Sequence, residues 1–297
     1  MRNNIINSLM QEMEKDENIF FLTADMGINL VEQIQDKFPT RYANVGIAEQ
    51  NMIGVAAGLS NLGYKPFVYT ISNFVIHRCL EQIRNDIILH KYPITLMGTS
   101  TGYDNAPLGP THHIIDDWGC LSSFPGIDIY CPGTVTYANK IVSKIINNNR
   151  PAYIRIPKGE FKNPESSDDF VLLKGKTKNI LLISYGSPAQ ECLKVIDKNA
   201  SASLLLFNKL LPIDELAISS IIKDYQEIFV IEDHFAKNGL YSLICCLCVK
   251  YQIFKKILSL APLDYLFEAG TSSNYFHNKL GFSAQKIQEL IKNSITK

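Results

Sequence analysis

The sequence predicts an α/β protein of two domains, each built around a mostly parallel sheet. Short β-branched and aromatic runs alternate with helix-length stretches along the 297 residues, which is typical of βαβ units. A polar break at residues 162–169 interrupts this alternation, and the chain is long enough for two ordinary domains. We therefore expect domains at residues 1–161 and 172–297, joined by a linker at 162–171.

The first domain is expected to begin with a core-facing helix, because apolar residues recur at helical spacing from Ile5 to Met13. Five later runs have the composition of strands, at residues 19–23, 66–69, 94–97, 127–131 and 153–156. Helices are expected between them, at residues 48–62, 74–90, 116–123 and 136–148.

The same alternation resumes after the polar break. Strands are expected at residues 180–184, 202–207, 227–231 and 265–268, and helices at 190–197, 213–223, 240–249 and 283–292. Ser283 is a favourable N-cap for the last of these helices.

The composition is that of a soluble globular protein, with 46% hydrophobic and 20% charged residues. The 29 basic and 29 acidic residues balance, so the net charge favours neither nucleic acid nor an anionic membrane as a partner. No apolar run reaches the roughly 18 residues that a membrane span requires. The seven cysteines are an odd number on apolar segments, which predicts buried thiols in a reducing cytoplasm.

One carboxylate, that of Glu49, stands in the most informative segment of the chain. Residues 44–59 are otherwise mostly apolar and rich in Gly and Ala, and they predict a strand end that turns into a tightly packed helix. Burying a charge in such a segment is costly unless it has a partner. Glu49 is therefore either a hydrogen-bonded structural acid or a group whose proton takes part in a reaction.

Residues 45–60, VGIAEQNMIGVAAGLS, closely resemble the pyrimidine-binding segment of transketolase-like thiamine diphosphate enzymes. The resemblance implies that Glu49 faces the aminopyrimidine of the cofactor and that Ile47 belongs to the cofactor-binding residues. Residues 23–26, TADM, resemble the family's S-A-D-L turn. By this resemblance Asp25 lies close to the cofactor and to the subunit interface.

Residues 70–75, TISNFV, resemble the family's T-F-x-N-F-V, in which the second Phe stacks on the aminopyrimidine. Phe74 is the matching ring, and His77 stands where many transketolases have a Tyr that lines the pocket. Ile71 replaces the first Phe of the motif, and Leu108 replaces an Asp before a later Gly-Pro. These departures predict a different sugar specificity.

Residues 108–113, LGPTHH, resemble the family's D-G-P-T-H loop, whose His reaches the substrate. The resemblance makes His112 a catalytic candidate, because an imidazole suits proton transfer among sugar hydroxyls. His113 is a weaker candidate for substrate binding, as is Asn29. Residues 151–159, PAYIRIPKG, resemble the end of the family's pyrimidine domain, and the resemblance implies that Lys158 stands where a basic residue often binds a substrate phosphate.

The resemblance covers nearly the whole chain, including IEDH and NGL at residues 231–240, but it matches only the second half of a full-length transketolase. The Gly-Asp-Gly motif that helps to hold the diphosphate and its Mg²⁺ does not occur here, and we expect no metal ligands in this chain. We therefore predict the pyrimidine-binding subunit of a split enzyme. A separate diphosphate-binding subunit would complete the site, most simply as an α2β2 assembly.

The predicted activity is transfer of a two-carbon ketol unit from a ketose donor to an aldehyde acceptor, with thiamine diphosphate as the electron sink. Three alternatives stay open: the β subunit of a 2-oxo acid dehydrogenase or decarboxylase, half of a 1-deoxyxylulose-5-phosphate synthase, and a non-catalytic scaffold for another transketolase chain. The His112 loop and the run RCLEQIR at residues 78–84 favour transketolase.

Overall fold

The computed structural model describes residues 1–27, 30–159, 164–196 and 201–295. The strands in these ranges are β1 (Ile19–Thr23), β2 (Tyr42–Asn44), β3 (Lys65–Ile71), β4 (Thr95–Thr99), β5 (Asp128–Tyr130), β6 (Ala152–Ile156), β7 (Phe170–Leu173), β8 (Ile180–Ser184), β9 (Ala202–Phe207), β10 (Lys209–Leu211), β11 (Glu227–Ile231) and β12 (Lys256–Leu260).

The α-helices in the same ranges are α1 (Arg2–Lys15), α2 (Glu32–Lys37), α3 (Glu49–Asn61), α4 (Ser72–Ile76), α5 (Leu80–Gln82), α6 (Asp117–Leu121), α7 (Val135–Ala138), α8 (Ile141–Asn148), α9 (Gly186–Ile196), α10 (Glu215–Lys223), α11 (Leu240–Lys250), α12 (Ser273–Lys279) and α13 (Ala284–Ile295). A π-helical stretch (Ile83–Ile88) and two 3₁₀ turns (Pro39–Arg41 and Ala106–Leu108) complete the helical elements. Among these described elements, no helix is both long and apolar enough to cross a lipid bilayer.

The strands form two sheets, ordered β10-β5-β6-β4-β3-β1-β2 and β12-β11-β8-β9-β7. All pairs are parallel except β10 with β5 and β7 with β9. The predicted α/β class with two mostly parallel sheets is therefore confirmed. β10 follows three strands of the second sheet in the chain and yet pairs with β5 of the first sheet, so a segment of the second domain extends the first sheet through main-chain hydrogen bonds.

The first sheet brings the segments that carry the candidate site residues to one edge. Parallel pairing aligns Thr23 with Tyr69, and it aligns Thr99 with both Ile71 and Ile156. The segments that follow β1, β3, β4 and β6 therefore leave the sheet side by side. In open α/β sheets, ligands bind outside the carboxyl ends of the strands, so this edge is where a site is expected.

Whether the sequence predicts a strand depends on where that strand lies in its sheet. All eight interior strands match runs expected from the sequence, whereas the four edge strands β2, β7, β10 and β12 do not. Three of these edge strands are only partly buried. An edge strand has neighbours on one side only and does not need a continuous apolar run, so its sequence signal is weak.

The prediction of a strand at residues 265–268 is wrong. The last strand is β12, at Lys256–Leu260, which pairs in parallel with β11. Residues 265–268 instead run over the surface, where Phe267 is 96% exposed and Tyr265 donates a hydrogen bond to Asp116. The helices expected at 74–90 and 136–148 are each divided into shorter pieces.

A buried ion cluster joins the two domains. Arg155, on β6, is fully buried and donates from Nε to Asp117 Oδ2 (2.9 Å) and from Nη1 to Asp233 Oδ1 (3.0 Å). Asp117 begins α6, whereas Asp233 follows β11 of the second sheet. Tyr153 also donates to Asp117 Oδ2, at 2.7 Å. Since each of these charges has lost its water, each depends on its partners.

We predict that Arg155→Leu lowers the free energy of unfolding by about 3–5 kcal/mol, because it leaves Asp117 and Asp233 buried without their cation. Urea denaturation followed by fluorescence measures this change. Asp224→Ala, which breaks an exposed pair with Lys178, is the control and is expected to leave the midpoint unchanged. Equal midpoints for the two variants would contradict the prediction.

Candidate active site

Glu49 lies at the start of α3, next to the edge formed by the strand ends. Its side chain is only 2% exposed, and its Oε2 accepts a hydrogen bond of 2.5 Å from Arg78 Nη1. The positive end of the helix dipole also favours a carboxylate at this position. The expected cost of burying Glu49 is therefore offset by a cation and by the helix N-terminus.

Three predicted residues and Arg78 form one continuous group. The Arg78 guanidinium lies over the ring of Phe74, with 4.3 Å from Cζ to the ring centroid. The ring of His112 meets Phe74 edge-on, with 5.3 Å between centroids. Asn73 donates a hydrogen bond of 2.5 Å to the carbonyl of Thr111 and so ties the start of α4 to the loop of His112. The structure thus brings Glu49, Phe74 and His112 together through Arg78.

His77 lies beside this group in a second set of contacts. Its Nε2 is 2.8 Å from Asp116 Oδ1, and the Tyr265 hydroxyl donates to Asp116 Oδ2 at 2.5 Å. The hydrogen bond with Asp116 raises the pKa of His77, although burial opposes the shift. The pair therefore favours a protonated His77, held by a carboxylate that also contacts the second domain.

Asp25 and Ile47 lie on a rim near Glu49. Asn44 joins their two turns, because its Oδ1 accepts from the backbone N–H of Asp25 (2.9 Å) and of Gly46 (3.0 Å). Asp25 has a left-handed backbone, with φ of 49°. Ile47 is 77% exposed, whereas the neighbouring Glu49 is buried.

Lys158 and His113 lie outside the group around Glu49. Lys158 lines a cavity of about 810 Å³, together with Arg2, Ile71 and Leu108. His113 is buried against two aromatic rings away from this cavity lining, and burial lowers its pKa. Asn29 lies outside the described residues. The roles of these three residues remain predictions.

The motifs do not identify Arg78, Asp116 or Tyr265 as site residues. Arg78 stands in the run used only to choose between families, and Asp116 at the start of a predicted helix. Tyr265 lies 149 residues from Asp116 in the chain, so no local pattern joins them. Within the described ranges, no group of three or more His, Cys, Asp or Glu side chains is placed to hold a metal ion.

We predict that Asp116→Asn lowers the pKa of His77, because the mutation removes the carboxylate that stabilises the imidazolium. NMR titration of the His77 ring measures the change. Since the folded-state pKa is the higher one, the pairing stabilises the fold below the unfolded pKa and loses this contribution as the pH rises through the folded value.

Tyr265→Phe is the matched control, because it removes the other hydrogen bond to Asp116 and leaves His77 paired. The pKa of His77 is expected to stay raised in this variant. An unchanged His77 titration in Asp116→Asn would show that Asp116 does not control it.

Two family models match the chain. The model of the transketolase pyrimidine binding domain matches residues 1–164, and the model of the transketolase C-terminal domain matches residues 170–287. The first model alone spans more than half of the chain, and the two matches follow each other in the order expected from the motifs.

Similar proteins include two that are each named as a subunit of apulose-4-phosphate transketolase. The protein from Actinobacillus succinogenes is 30% identical over 248 residues, which cover 76% of this chain and 79% of that protein. The protein from Phocaeicola vulgatus is 27% identical over 254 residues, covering 82% and 81%. The 1-deoxy-D-xylulose-5-phosphate synthase of Halothermothrix orenii is 31% identical over 243 residues, but they cover only 38% of that enzyme.

Solved structures show the same fold. A split-gene transketolase in an inactive β4 tetramer superposes with a TM-score of 0.87 at 23% identity, over 99% of this chain and 98% of that one. A mutant transketolase from Pichia stipitis superposes with a TM-score of 0.81 at 16% identity, over 99% of this chain but 45% of that one. The prediction from the motifs is confirmed: this chain belongs to the transketolase family of thiamine-diphosphate-dependent transferases.

Proposed function

We propose that the chain is the pyrimidine-side subunit of a transferase that moves a two-carbon ketol unit from a ketose to an aldehyde. It would act with a separate subunit that holds the diphosphate of the cofactor. The observation that carries this proposal is the arrangement of Glu49, Arg78 and Phe74. A carboxylate and an aromatic ring converge there on one planar group.

The planar group in that space is the guanidinium of Arg78. It donates a hydrogen bond to Glu49 and lies over the face of Phe74. An aminopyrimidine is also planar, needs a hydrogen-bond partner for its ring nitrogen N1′, and stacks on an aromatic ring. Glu49 and Phe74 therefore fit the cofactor, and binding it would require Arg78 to leave this place.

Thiamine diphosphate, when bound, supplies the electron sink for cleavage of the carbon–carbon bond. Glu49 would share a proton with N1′, in surroundings where a hydrogen bond is strong because water is excluded. Phe74 would orient the pyrimidine ring. His112, which lies edge-on to Phe74, would exchange protons with the hydroxyl groups of the substrate.

Several observations support a partner subunit. The two relatives named as transketolase subunits match this chain over about four fifths of their own length. Gly54 and Gly58 share the outer face of α3, where an added Cβ would meet no atom within 4 Å. Ile47 and Leu62, near the two ends of that helix, are exposed apolar residues. An exposed face of this kind is typical of a protein interface, and we place the diphosphate-binding subunit near it, in an α2β2 assembly.

The subunit that holds the diphosphate would also supply most of the contacts to Mg²⁺, because Mg²⁺ takes octahedral oxygen ligands and usually binds together with phosphate oxygens. We propose a sugar phosphate as the substrate. Lys158 and Arg2 place two cations on the cavity that Ile71 and Leu108 also line. The relatives named for a sugar phosphate support this choice.

We predict that Glu49→Gln lowers kcat by about 100- to 10,000-fold, because it removes the acid that shares the proton of N1′. The assay uses the chain copurified with a diphosphate-binding subunit, thiamine diphosphate, Mg²⁺ and a ketose donor. Assembly with the partner, measured by gel filtration, is expected to survive.

Glu81→Gln is the matched control, since Glu81 is an exposed carboxylate on α5, and it is expected to keep full activity. Full activity in Glu49→Gln would leave only the scaffold role. Turnover of a 2-oxo acid donor in place of the ketose would favour one of the alternative enzymes.

A further inference from the structure

The loop that carries His112 is closed at its base. Gly102 and Ile114 form an antiparallel bridge, in which the N–H of Ile114 donates to the Gly102 carbonyl at 2.9 Å. Between these two residues, Tyr103, Asp104 and His113 are buried, whereas His112 stays half-exposed. The segment 102–114 is thus a closed loop with a buried inner side, and His112 lies two residues before the bridge that closes it.

The carboxylate of Asp104 ties this loop to two other elements. Its Oδ2 accepts from the backbone N–H of Lys158 at 2.7 Å, and its Oδ1 accepts from the Ser187 hydroxyl at 2.9 Å. The ammonium of Lys158 also donates to the Asp104 carbonyl, at 3.4 Å. Lys158 follows β6, and Ser187 lies in the first turn of α9. One side chain therefore connects the loop of His112, the segment of Lys158 and the second domain.

The second domain holds the rest of the loop through aromatic packing. Tyr103 stacks on Phe276 with 4.5 Å between ring centroids. His113 packs edge-on against both rings, at 5.1 and 4.8 Å. The N–H of Gly270 donates to the carbonyl of Ala106 at 2.9 Å. His113 thus contributes to anchoring the loop, and its neighbour His112 points its ring to Phe74 on the other side.

Keeping a carboxylate at position 104 is costly. Burial and the nearby charge of Asp233 raise the pKa of Asp104 to about 7. The hydrogen bonds from Lys158 and Ser187 offset part of that cost. In some proteins a buried polar group that adds little stability is retained because it specifies one geometry.

We propose that Asp104 is a positioning residue, which sets the distance between His112 and Lys158 and thereby the preference of the site for a phosphorylated acceptor. This inference rests on the proposed function, in which His112 meets the reacting hydroxyls and Lys158 the phosphate. The second domain then takes part in substrate selection without contacting the substrate itself, because it anchors the loop through Ser187 and Phe276.

The test compares the variants Asp104→Ala, Asp104→Asn and Ser187→Ala in the assembly with the diphosphate-binding subunit. Aldehyde acceptors with and without a phosphate are assayed at a saturating donor concentration. Asp104→Ala is expected to raise KM for the phosphorylated acceptor by about 10- to 100-fold, because a misplaced contact costs this much. We expect kcat to fall by a smaller factor than KM rises. The ratio of kcat/KM for the phosphorylated acceptor to kcat/KM for the unphosphorylated acceptor should decrease.

Asp104→Asn is expected to keep most of that preference, because an amide can accept from the Lys158 N–H and donate to the Ser187 hydroxyl. Ser187→Ala, which removes one of the two ties, should shift KM in the same direction but by less. Asp128→Ala is the matched control. Asp128 is a buried carboxylate at the amino end of β5, whereas the site lies at the carboxyl ends of the strands, and it forms an ion pair with Lys209. Its loss should lower stability without changing the acceptor preference.

The outcomes separate this inference from the proposed function. A wild-type assembly that transfers no ketol unit refutes the proposed function. If the wild type is active and Asp104→Ala, Ser187→Ala and Asp128→Ala all keep its acceptor preference, the positioning role is refuted. Equal losses in Asp104→Asn and Asp104→Ala also refute it, because the charge and not the hydrogen bonds would then be required. If Asp104→Ala does not fold, Ser187→Ala decides.

Discussion

The two domains and the candidate site both depend on Arg155, a fully buried guanidinium shared by Asp117 and Asp233. Asp117 follows Asp116, the partner of His77, and Arg155 lies three residues before Lys158 on the same strand exit. Because buried charges tolerate little displacement from their partners, this cluster fixes α6, the end of β6 and the turn after β11 relative to one another. The site is thus built from strand ends of the first sheet and held in place by the second domain.

The group of Glu49, Phe74, His112 and Arg78 has the arrangement expected of one side of a cofactor site. Glu49 and Phe74 present a hydrogen-bond partner and a ring face, and in the chain by itself Arg78 lies between them. Gly54 and Gly58 are exposed on the same helix that Glu49 begins, and Ile47 is exposed just before it. On the proposed function, a second subunit would cover that face, bring the diphosphate and Mg²⁺, and let the cofactor take the place of Arg78.

The sequence was sufficient to predict the interior strands of both sheets, but not the edge strands or the long-range contacts. Interior strands such as β8 are buried on both faces and carry an unbroken apolar run. The edge strand β12 lacks such an apolar run, whereas residues 265–268 have the composition of a strand but do not form one. Local motifs propose Glu49, Phe74 and His112 as site residues, and the fold brings these three together. The contacts of Arg78 with Glu49 and of Tyr265 with Asp116 arise only in the fold, between residues 29 and 149 positions apart.

The central claim is that this chain holds one side of a thiamine diphosphate site and needs a second subunit to complete it. Isothermal titration of thiamine diphosphate with Mg²⁺, into the chain alone and into its assembly with a diphosphate-binding subunit, tests this claim most directly. Saturable binding is expected for the assembly and none for the chain alone. Binding to the chain alone with the affinity of the assembly would contradict the account.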